Sequence, residues 1–185
     1  MQVIKILKHK KENKEMAQKI NIPDCQITFR NLAGRPTEWN KQGGVRSFAA
    51  ILNPVQAQQL IDMGFDVKQF INKETGEAGD YYLKVKVNFR NDDAGNLIAP
   101  FIYTVDEITK KKTLLTPITA GVVDRADIAS VDLTITPYYY EVRGTKGISA
   151  YCHKMYVNIV ADEFEKKYAI YDDNADEIAD EIPFE

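Results

Sequence analysis

Cysteine is scarce in this chain: Cys25 and Cys152 are the only two, and no Cys-x-x-Cys spacing occurs. Two cysteines build no disulfide framework, and a four-ligand zinc site would need both histidines, His9 and His153, to converge on them. Buried, inert thiols are the expectation. No run approaches the roughly 18–20 apolar residues that a bilayer-spanning helix needs. The opening MQVIKILKHKKENK holds too short an apolar run for a secretory signal, and no small-residue cleavage site follows. These absences predict a protein of a reducing, cytosolic compartment with no membrane association.

Catalytic patterns are missing as well. Neither GxxxxGK[ST] nor GxGxxG occurs, and Gly144-Thr145-Lys146-Gly147 reads as a hairpin turn rather than a phosphate loop. A metal-dependent nuclease would want clustered carboxylates and a lysine on a central strand. The best strand candidate, residues 81–90, has no carboxylate; Asp92 and Asp93 fall in a turn, and Asp124 and Asp127 sit on a predicted helix with no histidine near. Cys152 and His153 are neighbours on a predicted strand, so they point to opposite faces and make no nucleophile–base pair. The expectation is a non-enzyme with no cofactor and no metal, a nuclease being the enzymatic alternative.

What is present begins with charge. The chain has 185 residues, 44% hydrophobic and 28% charged, enough for one well-cored domain. Its formal charge of −3 conceals an asymmetry. Residues 172–185 hold seven carboxylates and no Lys or Arg, which leaves 24 basic and 20 acidic residues in 1–171. A basic body with an acidic tail points toward a nucleic-acid partner. Residues 1–24 read as a basic appendage with six lysines in the first 20 positions, and 10–20 as a short polar helix with Met16, Ala17 and Ile20 on one side.

Strand signals start at Cys25, where Cys25, Ile27 and Phe29 alternate with Gln26, Thr28 and Arg30. A glycine- and proline-bearing loop spans 33–44, and 46–52 supplies a second strand. Pro54 opens a helix that stops at Gly64, with Val55, Leu60 and Met63 available to pack. Residues 72–80 read as a polar loop. Then Tyr81, Leu83, Val85, Val87 and Phe89 face one way, and Tyr82, Lys84, Lys86, Asn88 and Arg90 the other. After a turn at 93–96, LIAPFIYTV is an edge or bulged strand broken at Pro100. Lys110 to Lys112 lie in a loop, and 116–127 form a short helix with Pro117 at its first position. The last part is a long hairpin, with a bulge expected at Pro137 and Tyr138 and a turn over 143–147. Many strands, short helices and no βαβ rhythm predict a mainly β fold: an OB-like antiparallel barrel over 25–161, with short helical insertions and an acidic, disordered tail over 162–185.

Three clusters combine cations with aromatic rings, the pairing that sequence-tolerant single-strand binding needs: cations track phosphates and rings stack on any base. The first is the exposed row Tyr82, Lys84, Lys86 and Arg90. The second is the first loop and its borders: Arg30, Arg35, Trp39, Lys41 and Arg46. Trp39 there either stacks on bases or folds down as a lid on the barrel end. The third lines the last hairpin: Tyr138, Tyr140, Arg143, Lys146 and Tyr151, where alternation sends part of the tyrosine run into the core.

The segments CQITFRNLAGRPTEWNKQGGVRSFAAIL, DYYLKVKVNF and VDLTITPYYYEVRGTKGISAYCHKMYVNI resemble, in the same order, the single-stranded DNA-binding proteins of tailed bacteriophages. The resemblance covers roughly residues 25–160. It implies an OB-type fold, binding of single-stranded DNA without sequence preference, a role in phage DNA replication, recombination or repair, and residence in the cytoplasm of the host bacterium. The end of the tail, Asp180, Glu181, Ile182, Pro183 and Phe184, is similar to the acidic, phenylalanine-ended tip of bacterial single-stranded DNA-binding proteins, which recruits replication and recombination proteins. Here Glu185 follows the phenylalanine, so charge competition with DNA for the basic body is the firmer expectation for the tail. The competing reading is a protein–protein adaptor of a replication complex with incidental DNA affinity. Self-association into a homo-oligomer stays open.

Overall fold

Alternation decides the central strand, β4 (Ala78–Val87). Leu83, Val85 and Val87 are buried, Lys84 and Lys86 are exposed, and Tyr81 and Phe89 pack against the core, as a two-residue period requires. The structure is a computed structural model that describes residues 18–163 together with 166 and 167. His9, most of the expected helix over 10–20, and the tail tip Asp180, Glu181, Ile182, Pro183 and Phe184 lie outside the described residues.

Along the chain, β1 (Ile20–Asn31) and β2 (Arg46–Leu52) precede α1 (Pro54–Asp62), β3 (Val67–Ile71) and β4. Next come β5 (Arg90–Asn91), β6 (Leu97–Ile98), β7 (Phe101–Asp106), β8 (Lys112–Leu114), a 3₁₀ turn (Ala120–Asp124), β9 (Ile128–Val142) and β10 (Thr145–Ile159). Eight strands pair in the order β3-β4-β2-β1-β9-β10-β7-β8, and a further pairing of β4 with β10 closes β4, β2, β1, β9 and β10 into a ring. This is a closed five-stranded barrel of OB-like type. Ring neighbours run antiparallel except at the closing pair, where Val85 faces Ala150 and Lys86 faces Tyr151 in parallel. β5 and β6 form a separate two-stranded ribbon.

The barrel is filled by the inward positions of its own strands: Phe48, Ala50 and Leu52 from β2, Val131, Leu133 and Ile135 from β9, and Ala150, Cys152, Met155 and Val157 from β10. Burying a side chain such as Val85 or Ile135, both fully enclosed, contributes about 1.5–3 kcal/mol. Both cysteines are free and buried, and burial is the main cause that pushes each thiol up to about 12. Two short elements plug the barrel from opposite ends of β2. α1 begins with a capping box, in which Asn53 Oδ1 accepts from Gln56 N and Gln56 Oε1 accepts from Asn53 N, with Pro54 at the first turn. It lays Ala57 and Leu60 on the core. The 3₁₀ turn contributes Ala120 and Val123, and at Gly121 an added Cβ would come within 2.9 Å of the Ala33 side chain, so only glycine allows this approach.

Several expectations are corrected. β1 begins at Ile20, ahead of the expected boundary at 25, and Ile20 pairs with Ile135 instead of closing a helix. Phe29 is exposed rather than core, because the β1–β2 register shifts between Thr28 and Asn31 and Phe29 adopts φ +47°. Val55 and Met63 are exposed; Ala57 takes their place. β4 starts at Ala78, within the expected loop, and Lys112 opens β8. The helix expected over 116–127 is the shorter 3₁₀ turn at Ala120–Asp124. LIAPFIYTV divides at buried Pro100: its first part pairs in the ribbon as β6, and β7 lies inside the sheet between β10 and β8. No bulge occurs at Pro137, which is buried in phase with Ile135; the nearer of the two shifts in this ladder is in β10, between Cys152 and Lys154, and the other falls between Asn158 and Ile159. The hairpin turn narrows to Arg143 and Gly144, with φ +50° and +81°, the two positive values a tight hairpin loop requires.

Candidate nucleic-acid interface

Because β4 turns Leu83, Val85 and Val87 inward, Tyr82, Lys84 and Lys86 stand in one outward row. The register carries the row onto the neighbouring strands. Lys86 lies opposite Ser47 of β2 and opposite Tyr151 of β10, and Tyr151 in turn faces Thr136 of β9. Lys86 is the junction. Its Nζ donates to Ser149 Oγ at 3.1 Å and sits 5.6 Å from the centre of the Tyr151 ring. Tyr151 meets Tyr138 edge to face at 5.8 Å. A cation over one ring and a second ring set against it hold an apolar surface and a positive charge side by side.

Beyond Tyr151 the row drops into a cleft of about 490 Å³. Arg90, Tyr138, Tyr151 and His153 line it, with Pro100 and Pro137 among its apolar walls. The β5–β6 ribbon supplies one side, so this small hairpin, whose turn Asp92 organises by accepting from Ala94 N and Asn96 N, positions Arg90. The Asn96 side chain, donating from Nδ2 to Asp92 Oδ2 at 3.0 Å, is the main cause that holds the Asp92 carboxyl below its usual range, with the backbone bonds adding to it. Burial, with Lys19 and Lys154 adding to it, lowers the pKa of His153, so at neutral pH it presents an uncharged ring with a donor and an acceptor.

The candidates from the first loop are placed differently. Arg46 Nη1 donates to Leu32 O and, at 2.8 Å, to Pro117 O, and its guanidinium lies 5.0 Å above the Phe89 ring. Arg30 Nη1 donates to Val123 O and Ala126 O at 3.0 and 2.8 Å. Arg35 pairs at 3.1 Å with Asp124, whose carboxylate also accepts from Leu32 N and Ala33 N. All three arginines tie the loop to the 3₁₀ turn and its flanks. Trp39 stands at the tip of a tight turn closed by reciprocal Thr37–Asn40 backbone bonds, 94% exposed, which excludes the lid arrangement. Lys41 follows it, also exposed.

On the hairpin, Tyr140 lies over Gly147, its cross-strand partner, where any Cβ would collide with the phenol. Arg143 occupies the turn and Lys146 faces Glu141. The structure therefore brings Tyr82, Lys84, Lys86, Arg90, Tyr138 and Tyr151 onto one continuous surface, sets Trp39, Lys41, Arg143 and Lys146 at loop and hairpin tips, and gives Arg30, Arg35 and Arg46 partners within the fold.

Ser149, His153, Phe29 and Phe70 lie beside this surface although none of them stands in the three cation–aromatic clusters of the sequence. Phe70 lies on β3, a strand of mixed polarity with no alternation to flag it, and stacks on Tyr82 with centroids 4.3 Å apart. Among the described residues, no group of three or more His, Cys, Asp or Glu side chains could hold a metal ion, and no helix is long and apolar enough to cross a membrane.

Residues 9–183 match the sequence family described as "Putative phage ssDNA-binding domain". No curated protein matches in sequence. Among solved structures, a C-terminal truncation of the single-stranded DNA-binding protein from bacteriophage Enc34 is similar at 12% identity and a TM-score of 0.48, over 78% of this chain and 87% of that one. The same phage protein in complex with single-stranded DNA is similar at 10% identity and 0.47, over 79% and 89%. The single-stranded DNA-binding protein gp2.5 of bacteriophage T7 is similar at 12% identity and 0.43, over 82% and 94%.

Proposed function

The chain belongs to the phage single-stranded DNA-binding domain family, and from that premise we propose that it binds and protects single-stranded DNA, without sequence preference, during phage DNA replication, recombination or repair. One observation carries the assignment of the surface: the unbroken outward row from Tyr82 through Lys84 and Lys86 to Tyr151 and Tyr138, which ends beside Arg90. Rings supply stacking faces that accept any base, and the cations between them follow the phosphates. Trp39, Lys41, Arg143 and Lys146 extend the contact from the tips. The protein acts as a binding protein in the host cytoplasm, with no chemical step.

The tail adds regulation. Seven carboxylates over residues 172–185 compete with DNA for the basic row. Asp180, Glu181, Ile182, Pro183 and Phe184 dock in an apolar, cation-rimmed pocket on a replication or recombination protein. The charge complementarity of tail and body supports the competition.

Titration with oligo-dT, followed by Trp39 fluorescence and gel shift, tests the assignment. With three to six phosphates neutralised at ~0.7 counterion each, the slope of log K against log salt is about −2 to −4. Absence of both a fluorescence change and a gel shift at low salt would overturn the proposal.

A further inference from the structure

Phe29 is the least economical side chain on the barrel surface. It is 73% exposed, and its φ of +47° is a left-handed conformation that an L-residue with a Cβ adopts only at a cost. The interior does not need it, since Ile27 and Leu32 of the same region already fill the core. The local irregularity that turns Phe29 outward lies between Thr28 and Asn31. A second irregularity, in β3 between Gln69 and Ile71, falls on Phe70. Shifts of this kind re-aim side chains, and these two, on strands that are not neighbours in the sheet, aim two rings at the same place. Phe29 lies 5.9 Å from Phe70, and Phe70 stacks on Tyr82 at 4.3 Å and 19°.

We propose that Phe29, Phe70 and Tyr82 form a second stacking platform for the nucleobases of single-stranded DNA, at the opposite end of the lysine row from Tyr138 and Tyr151. The inference rests on the DNA-binding reading above and deepens it. Lys84 is the next outward residue of β4 after Tyr82, and Lys86 the one after that, so the array opens directly onto positive charge. That combination suits a polyanion carrying flat rings. The four steps along β4 from Tyr82 to Lys86 span about 13 Å at ~3.3 Å each, so the strand is gripped at two aromatic stations with its phosphates over the lysines between them.

Phe29→Asn separates this role from a structural one. Asparagine tolerates the left-handed conformation better than phenylalanine, so the variant melts at or above the wild-type temperature. Its affinity for oligo-dT falls about 5- to 100-fold, the loss expected for one stacked base. Binding of an abasic oligonucleotide of equal length stays within about twofold, and the salt slope is unchanged, since no phosphate contact is removed. Phe70→Leu, with its melting temperature measured alongside, shows the same selective loss. Oligo-dT affinity of a folded Phe29→Asn protein within twofold of wild type overturns the platform while leaving the DNA-binding reading intact. Equal losses on oligo-dT and the abasic strand also overturn it. Failure of the wild-type protein to bind oligo-dT removes both.

Discussion

Arg46 distinguishes a phosphate contact from a structural anchor by two measurements that move in opposite directions. Its guanidinium donates to Leu32 O and Pro117 O and covers the Phe89 ring, joining the end of β1 to the loop before the 3₁₀ turn. Arg46→Ala leaves two half-buried carbonyls without their charged donor, at ~1–3 kcal/mol each, and removes a cation–π contact of about 0.5–1 kcal/mol. Partial access of water to the site keeps the total near 3–5 kcal/mol. For a domain of this size, with ~2–4 °C per kcal/mol, the melting temperature falls by roughly 6–20 °C. Arg46→Lys keeps the charge but not the planar fork, and recovers only part of the loss. Calorimetry gives the melting temperature, and oligo-dT titration below the transition gives affinity at several salt concentrations. A phosphate contact predicts the reverse: unchanged stability and a salt slope smaller by ~0.7. That pattern in Arg46→Ala would refute the anchoring argument, and with it the same argument for Arg30 and Arg35.

Lys86→Ala should behave as the complement, lowering the salt slope by ~0.7 and weakening DNA binding while the lost contacts to Ser149 and Tyr151 cost no more than about 1 kcal/mol of stability; a large melting shift with an unchanged slope counts against it as a contact. Both thiols sit at about 12 rather than 9.0, through burial first. At pH 8 their thiolate fraction is therefore about a thousandfold below that of an ordinary thiol, and iodoacetamide should label the denatured chain but not the native one. The same shift has a stability sign. A folded pKa above the unfolded value contributes fully below pH 9 and is lost as pH rises from 9 toward 12, so Cys152→Ala should flatten the alkaline arm of the stability profile, and an unchanged arm would refute this. Removal of residues 172–185 should tighten oligo-dT binding at low salt and less so at high salt, where charge competition is screened; unchanged affinity at both would sink the competition.

What the sequence made legible was local and periodic. Leu83, Val85 and Val87 against Lys84 and Lys86 is a pattern one strand writes by itself, and Pro54 with the Gly64 stop brackets a helix within one short window. What it hid depends on distant partners. Alternation places Phe29 inside, and only the register against β2 reverses it. The bulge expected at Pro137 belongs to the facing strand, near His153, because a proline signals an interrupted ladder without saying which strand carries the extra residue. Arg46 looks like any loop cation until the carbonyl of Pro117, 71 positions away, comes within reach. β3 was unreadable because five residues of mixed polarity carry no period. The row Tyr82–Lys84–Lys86 was visible from one strand. Its continuation to Tyr151 depends on a parallel pairing between segments 65 positions apart, which no window of sequence contains.

That pairing also has a dynamic consequence. The ring is held by seven register pairs between β2 and β4 and by a much longer ladder between β9 and β10, but by only two where β4 meets β10. Local opening of a closed sheet begins at its shortest ladder, and here that ladder lies directly beneath Lys86 and Tyr151. A DNA strand laid from one to the other spans the gap and acts as a strap across it. Bound at a hundredfold excess over its dissociation constant, such a ligand suppresses openings by about 2.7 kcal/mol. Those amide protons of residues 85–86 and 150–151 that bond across this pairing should then exchange roughly a hundredfold more slowly in the complex, while those of α1 change only as global unfolding dictates.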